Sequence, residues 1–568
     1  MFLTRAEQQG DKPFLWAKRE GTWQSISWRE TARQAAALAE SLRGLGLEPG
    51  DRVMLVSDNR PEWLIADLAI MAAGCVTVPT YTTNTERDHT HILSNSGAKA
   101  VIVSTQKLAK TLIPAVLFSA DCRHVIGIED IRTGQSSDQA SFHHWNDLMS
   151  VEADAKAVAE RCSSMRREDL ACIIYTSGTG GAPRGVMQHH GMILHNIEGA
   201  TEVISSDFGW GDEIFLSFLP ASHAYEHTAG QHLPIGFAAQ IYYAESLEKL
   251  AANIEEVKPT IMAVVPRLFE LLRARVLKSV EASGDLSQYL LRRAVEIGTR
   301  ANAGERRLID LPMDAILSIT LRRKVGARFG GRIKAMVSGG APLNPEIGIF
   351  FQSLGVTLLQ GYGQTECGPV ASVNRPKVGI RMESVGVPLL NTEVRFADDG
   401  EILVRGENVM RGYWRSDEES ARVLKDGWLH TGDVGHFDVS GRIVITDRKK
   451  DLIVNDKGDN VSPQRVEGML TVQAEIAQAM VHGDRRPHLV AVLVPDPDIE
   501  NAPDLQQRLQ KAVDRVNAEL SVIEKVRRFI LADAPFTVQN EQLTPSMKIR
   551  RHVLKQVYGT RLDALYRK

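Results

Sequence analysis

Ile173-Ile174-Tyr175-Thr176-Ser177-Gly178-Thr179-Gly180-Gly181-Ala182-Pro183-Arg184-Gly185-Val186 is the stretch on which the reading of the fold turns. Its first residues are a continuous apolar run, which predicts a strand buried on both faces. The run opens into a loop of glycines and hydroxyls with one cation. Glycines let the backbone approach a ligand closely and turn N–H groups toward an anion. Thr176, Ser177 and Thr179 add hydroxyl donors, and Arg184 adds a fixed positive charge. Together these are the parts of a polyphosphate cradle. Val186 follows Gly185 where a Walker loop would carry lysine, so this is not that motif. Taken alone, such a loop is more often a plain surface turn.

The flanking sequence repeats the strand-and-loop form. Trp28 to Leu45 has helical spacing, Arg52 to Ser57 reads as a strand, and Asn59 with Pro61 suits the cap and first turn of a helix ending near Gly74. Val76 to Tyr81 predicts a strand, Asn84 to Leu93 a helix and Ala98 to Ser104 a strand. This rhythm argues for parallel sheets with covering helices. Gly134 to Ala140 is loop-like. Strands are expected at Ile214 to Leu219, Thr260 to Val265, Ile333 to Val337 and Val356 to Gln360. Val385 to Ile445 is shorter-stranded and turn-rich, predicting a small β subdomain. A charge cluster, Asp447-Arg448-Lys449-Lys450-Asp451, marks a change of character. The expected fold class is therefore α/β: a large N-terminal domain over 1–447 with parallel-rich sheets, covering helices and a small β subdomain. A small mobile α+β domain follows over 448–568.

Composition narrows the function classes. The 568 residues carry 67 Lys plus Arg against 70 Asp plus Glu, a net charge of −3, so no basic field argues for nucleic acid. Five scattered cysteines lack metal spacing and fit buried thiols in a reducing, cytoplasmic setting. The N-terminus turns polar within a few residues, so no signal peptide is expected. The most apolar stretch, Leu64 to Val78, contains Asp67 and Gly74 and reads as core rather than as a membrane span. Peripheral membrane contact and a homodimer both stay open.

Three strands end in small or polar loops: the opening stretch, Ser338-Gly339-Gly340-Ala341-Pro342, and Gln360-Gly361-Tyr362-Gly363-Gln364-Thr365-Glu366. Open α/β sheets bind ligands at the carboxyl ends of their strands, so three such loops suggest one composite nucleotide site. The stretches resemble signatures of the acyl-adenylate-forming enzymes, the superfamily of acyl-CoA synthetases, luciferases and peptide-synthetase adenylation domains. The opening stretch is similar to that family's YTSGTTGxPKG loop, with Gly180 in place of a threonine and Arg184 in place of a lysine. Three more matches follow in order: Trp428-Leu429-His430-Thr431-Gly432-Asp433, Gly441-Arg442-Ile443 through Asp451, and Leu543-Thr544-Pro545-Ser546-Met547-Lys548-Ile549-Arg550. Met547 stands where many members have glycine.

The resemblance implies attack of a carboxylate on ATP, giving an acyl-AMP and pyrophosphate, and then transfer of the acyl group to CoA. It makes Ser177, Gly178, Thr179, Gly180, Gly181, Gly339, Gly340, Ala341, Pro342, Gln360, Gly361, Tyr362, Gly363 and Thr365 nucleotide-binding positions. Glu366, helped by Thr176, would hold Mg2+; its local reading is a helix-start carboxylate. Asp433 would accept from ribose hydroxyls, or merely form an Asx-turn. Arg448 would contact ribose or phosphate. Lys548 would be the adenylation lysine, although a lone lysine near a C-terminus is usually a surface residue. His223 resembles the family's acyl-pocket histidine, which shapes the carboxylate site or moves aside for the thiol; a structural histidine is the less favoured reading. Lys450 falls at the hinge, and Lys457-Gly458 in the segment that enters for thioester formation. The Val265-Pro266-Arg267-Leu268-Phe269 and Thr544-Pro545 segments are similar to long-chain fatty acyl-CoA synthetases. Aryl-CoA ligases, a fatty acyl-AMP ligase loading a carrier protein, and a non-catalytic nucleotide or lipid binder are the alternatives.

Overall fold

The computed structural model describes residues 1–132, 139–176, 183–457, 459–544 and 548–567. Ser177, Gly178, Thr179, Gly180 and Gly181 of the phosphate loop, Gly458, and most of the predicted loop from Gly134 lie outside the described residues.

The strand Leu170–Thr176 forms as its apolar run predicts. One side chain row faces a core of Met71, Ile193 and Ile197, and the other row, Ile173 and Tyr175, faces Val56 and Val78. With apolar partners on both faces the strand has no polar side, which is why its sequence does not alternate. Truncating Ile173 to alanine here would cost about 3 kcal/mol. The sheet runs in the order Ser141–His144, His124–Gly127, Ala100–Val103, Arg52–Val56, Val76–Thr80, Leu170–Thr176, Arg184–His189. Its last strand folds back antiparallel, setting Ile174 opposite Val186 and Thr176 opposite Arg184.

A second, larger sheet carries Gln240–Tyr243, Ile214–Ser217, Ile261–Val264, Ala335–Ser338 and Leu358–Tyr362 as parallel neighbours. Parallel pairing puts their carboxyl ends at one edge. The loops after residues 217, 264, 338 and 362 therefore emerge together. The small β subdomain is the sheet built on Glu401–Arg405, Trp428–Phe437 and Ile443–Arg448. Beyond it, the helices Pro463–Val472, Leu505–Glu519 and Arg551–Ala564 pack on the strands Ile476–His482, Leu489–Pro495 and Val526–Leu531, an α+β unit. Polar contacts join this unit to the rest: Arg267, Arg273 and Asn344 donate to the carbonyls of Ala477, Val472 and Gly468. No helix among the described residues is long and apolar enough to cross a membrane.

Two local expectations change. The helix Pro61–Ala72 is capped by Arg60, not Asn59. The Asn59 amide instead donates to Ser217 Oγ and to Leu219 O, and its Oδ1 accepts from Ala221 N–H. A cross-sheet clip thus displaces a local cap. The next helix spans Glu86–Ser96 rather than beginning at Asn84, because Thr85 and Asp88 bond each other reciprocally at its start.

Candidate active site

Asp433 sits on the long strand Trp428–Phe437, directly opposite Arg448 on Ile443–Arg448. The residue is 2% exposed. Oδ1 lies 2.8 Å from Arg448 Nε. Oδ2 accepts from Tyr362 OH at 2.8 Å and from Gln364 Nε2 at 2.6 Å. Charge-assisted bonds of this kind fix a carboxylate more firmly than neutral ones. Tyr362 belongs to the strand Leu358–Tyr362 of the larger sheet, so Asp433 ties the β subdomain to that sheet's carboxyl edge. Gln364, absent from the predicted ligand positions, also donates to Thr431 O.

Glu366 lies in the tight turn Thr365–Cys367 just beyond the same strand. Its Oε1 accepts from Tyr413 OH at 2.8 Å. Burial and the Glu366 charge push the Tyr413 phenol well above its ordinary pKa, so it stays a donor. Tyr413 had no sequence signal, being 47 residues from its partner. It also bridges to Val186 on the strand after the opening loop, and Gln188 on that strand donates to Thr365 O at 2.8 Å. The opening stretch and the Glu366 turn, from different sheets, thereby meet. Glu366 Oε2 and the Thr176 hydroxyl make no hydrogen bond among the described residues. Two hard oxygens are available, a donor set that fits magnesium. Arg184 stacks 4.7 Å from the Tyr413 ring centre and pairs with Glu419 at 2.7 Å, so its charge is engaged within the protein.

The glycine positions show why side chains are excluded. A Cβ on Gly363 would lie 1.9 Å from Pro369 O, and one on Gly339 would lie 3.1 Å from the Tyr225 ring. Gly340 takes φ +80°, the left-handed region. Ala341 and Pro342 are exposed beyond this turn. Gly361 continues the strand opposite Val373. The Gln360 amide is committed to Met382 O at 2.5 Å, leaving it a structural part there.

His223 follows the strand Ile214–Ser217, on the segment that Asn59 clips. Its Nδ1 accepts the Tyr225 N–H at 3.2 Å. Burial and the Lys548 charge bring its pKa down to about 3. The imidazole is therefore neutral near pH 7, and with Nδ1 accepting, its proton sits on Nε2. Downstream, His227–His232 is a π-helical turn that puts residues five apart on one face. His232 Nε2 lies 2.9 Å and His227 Nε2 3.2 Å from buried Asp67 Oδ2, bracing this segment on the helix Pro61–Ala72.

Lys548 is held to Thr544 by two hydrogen bonds. Thr544 N–H donates to Lys548 O at 2.8 Å, and Lys548 N–H donates to Thr544 Oγ1 at 3.0 Å. Burial and the Arg448 charge bring the amine down to about 8, while Asp433 and Glu366 pull it upward. The charges of Arg448, Asp433 and Glu366 act on it, and its own charge acts on His223, so it neighbours groups that lie 100 or more residues earlier in the chain. Lys449, beside the proposed hinge residue Lys450, pairs with Asp399 and Glu401. Lys457 is exposed on the turn after the strand Ile453–Val454.

The AMP-binding enzyme family matches residues 2–414, and the AMP-binding enzyme C-terminal domain matches residues 450–568. The Long-chain-fatty-acid--CoA ligase FadD15 of Mycobacterium tuberculosis is 31% identical, over 97% of this chain and 93% of its own. Long chain acyl-CoA synthetase 1 of Arabidopsis thaliana is 27% identical, over 98% and 88%. Two solved structures share the fold. The adenylation domain of a carboxylate reductase from Mycobacterium chelonae gives a TM-score of 0.76 at 22% identity, over 100% of this chain and 90% of that one. The anthranilate CoA ligase AuaEII with anthranoyl-AMP gives 0.72 at 19% identity, over 98% and 96%. A chain matched over nearly its whole length, with the strand-end loops, Asp433, Glu366 and Lys548 gathered as described, belongs to the AMP-binding enzyme family.

Proposed function

We propose that this protein is an AMP-forming acid–CoA ligase acting on long-chain fatty acids. The observation that carries the reading is the gathering of Lys548, from the C-terminal segment, with Asp433, Arg448, Glu366 and His223. Long-chain acids are favoured because relatives matched over nearly the full chain, at 27 to 31% identity, carry that name.

In the first half-reaction a carboxylate oxygen of the acid attacks the α-phosphorus of ATP. The bond to the bridging oxygen breaks and pyrophosphate leaves. Charge develops on phosphate oxygens, so the protein's contribution is positioning and electrostatics. Asp433, held by three partners, is an acceptor aimed at ribose hydroxyls. Lys548 supplies a cation between the two reacting anions. The neutral Nε2–H of His223 donates toward the carboxylate. The backbone at Gly339–Gly340 and Gly361–Gly363 forms the adenine side, and the loop from Thr176 through Arg184 takes the phosphates. Glu366 and Thr176 would hold magnesium, which when bound neutralises the polyphosphate. Release of Arg184 from Glu419 would free its charge for the phosphates.

In the second half-reaction the thiol sulfur of CoA attacks the acyl carbon, AMP leaves and the thiol proton is lost. The unit over 448–568 touches the rest through polar contacts and the packing of Val472 on the Phe269 cluster, and an interface with so much polar contact permits relative motion. Rotation near Lys450 would withdraw Lys548 and bring Lys457 and Gly458 to the site.

Profiling acids from butyrate to stearate, with benzoate and cinnamate, and offering CoA or a carrier protein as acceptor, tests the reading. Preference for the longest acids with CoA supports it. Preference for aromatic acids, or acyl transfer to a carrier alone, would replace it.

A further inference from the structure

Asp67, His227 and His232 meet in the interior and take no part in the chemistry described above. Asp67 lies on the helix Pro61–Ala72, and the two histidines on the π turn His227–His232. Residues five apart share a face only where a helix widens to the π form, so this turn is what brings both rings to one carboxylate. Asp67 and His227 are fully buried, and His232 is nearly so. His232 Nε2 is 2.9 Å and His227 Nε2 3.2 Å from Asp67 Oδ2. One nitrogen of each ring and one carboxylate oxygen all lie within 4.8 Å of one another.

The hydrogen bonding of this cluster does not close on itself. Asp67 Oδ1 and both ring nitrogens of His227 are buried and have no hydrogen-bond partner among the described residues. A buried polar atom left unpaired costs about 1–3 kcal/mol, and a charged one more, so three such atoms at one point call for a further partner. Among the described residues only the two histidines lie within ion-pairing distance of Asp67. A water molecule would leave the carboxylate charge unbalanced. A proton on His227 would add an N–H to a ring whose nitrogens already lack acceptors. A metal ion carries the balancing charge and takes lone pairs from carboxylate and imidazole alike. Donor atoms held about 2.0–2.1 Å from one tetrahedral ion stand about 3.3 Å apart. The two nitrogen–oxygen separations fall within about 0.4 Å of that spacing. Imidazole donors select a transition ion over magnesium.

We propose that Asp67, His227 and His232 bind one divalent transition-metal ion as a structural site, with zinc the best match. Two imidazoles and the two oxygens of Asp67 supply the four donors that zinc takes in a closed site. The ion clamps the helix Pro61–Ala72 to the segment that bears His223, four residues before His227. Because its ligands are buried, it enters as the chain folds and leaves as the chain unfolds. The proposal rests on this cluster alone and holds whichever acid the site activates.

The test is elemental analysis by mass spectrometry of the full-length, tag-free protein, expressed with zinc sulfate in the medium. One equivalent of zinc per chain is expected, retained through dialysis against EDTA. X-ray absorption at the zinc edge should show nitrogen and oxygen neighbours, two imidazoles among them, and no sulfur. In thermal melts EDTA should lower the melting temperature by several degrees relative to added zinc sulfate, since released ion is captured on unfolding. His227→Gln with His232→Gln should bring the metal content to background and remove that difference. Metal at background in the parent protein, sulfur neighbours at the zinc, equal melting temperatures in EDTA and zinc, or full zinc retention by the double variant would each overturn the proposal. The parent protein's metal content and absorption spectrum decide the matter even if the double variant does not fold.

Discussion

Replacing Lys548 with alanine separates the two half-reactions. The amine is half-buried, coupled to Arg448, Asp433, Glu366 and His223, and brought down to about 8. A unit charge about 4 Å from a developing oxyanion, at an effective dielectric of about 20, contributes about 4 kcal/mol. That corresponds to about a thousandfold in rate. Arg448 retains part of the positive potential, so a loss between about a hundredfold and a thousandfold is expected for adenylation. Acid-dependent exchange of labelled pyrophosphate into ATP reads this step directly. Conversion of supplied acyl-AMP and CoA to acyl-CoA reads the other, and should stay within a few-fold of the parent. The pH dependence has a defined sign. The ammonium is the active form, so in the free enzyme adenylation should fall as pH rises through about 8, while thiolation should lack that limb. Equal loss of both half-reactions in Lys548→Ala, or an adenylation profile flat across pH 8, would refute the role.

Four more outcomes follow from the geometry. Glu226 is buried under Ser217 and Gln231, and burial raises its carboxyl from 4.5 to about 8. Between those values it is protonated when folded and ionised when unfolded, so stability should fall as pH rises from 4.5 to 8, by up to about 5 kcal/mol. Glu226→Gln should flatten that slope in thermal melts; a slope equal to the parent's would mean Glu226 is ionised in the fold. Tyr362→Phe removes one of the bonds that hold Asp433, and should raise KM for ATP about tenfold while leaving KM for the acid unchanged. A rise in the acid's KM alone would misplace Asp433. Tyr413→Phe frees Glu366 Oε1 and should move the magnesium activation curve several-fold; an unmoved curve would argue that Glu366 holds no metal. Lys450→Pro should leave pyrophosphate exchange intact and slow acyl-CoA formation, and unchanged thiolation kinetics would place the pivot elsewhere.

Much of the architecture was legible where it rests on local pattern. The apolar run ending at Tyr175 predicted a strand covered on both faces, and it forms as one, because the pattern that specifies it is local. What could not be read is carried by side chains that bond across the chain. Asn59 looked like a helix cap, yet its amide reaches Leu219, 160 residues away, and positions the segment bearing His223. Tyr413 and Gln364 orient the two carboxylates, and no spacing rule links them to Glu366 or Asp433. Gln360 lies in a ligand-like motif while its side chain serves the core. Arg184 is paired with Glu419, a partner that only the fold brings near. Motifs therefore located the strand ends, and tertiary hydrogen bonds decided what each side chain does there.

The most direct measurement is the product inventory of a single incubation with ATP, magnesium and palmitate, first without CoA and then with it. Acyl-AMP and pyrophosphate should form without CoA, in amounts that depend on the fatty acid, and adding CoA should convert the adenylate to palmitoyl-CoA and AMP. Pyrophosphate release that ignores the acid, or ADP and phosphate in place of AMP and pyrophosphate, would contradict adenylation at this site.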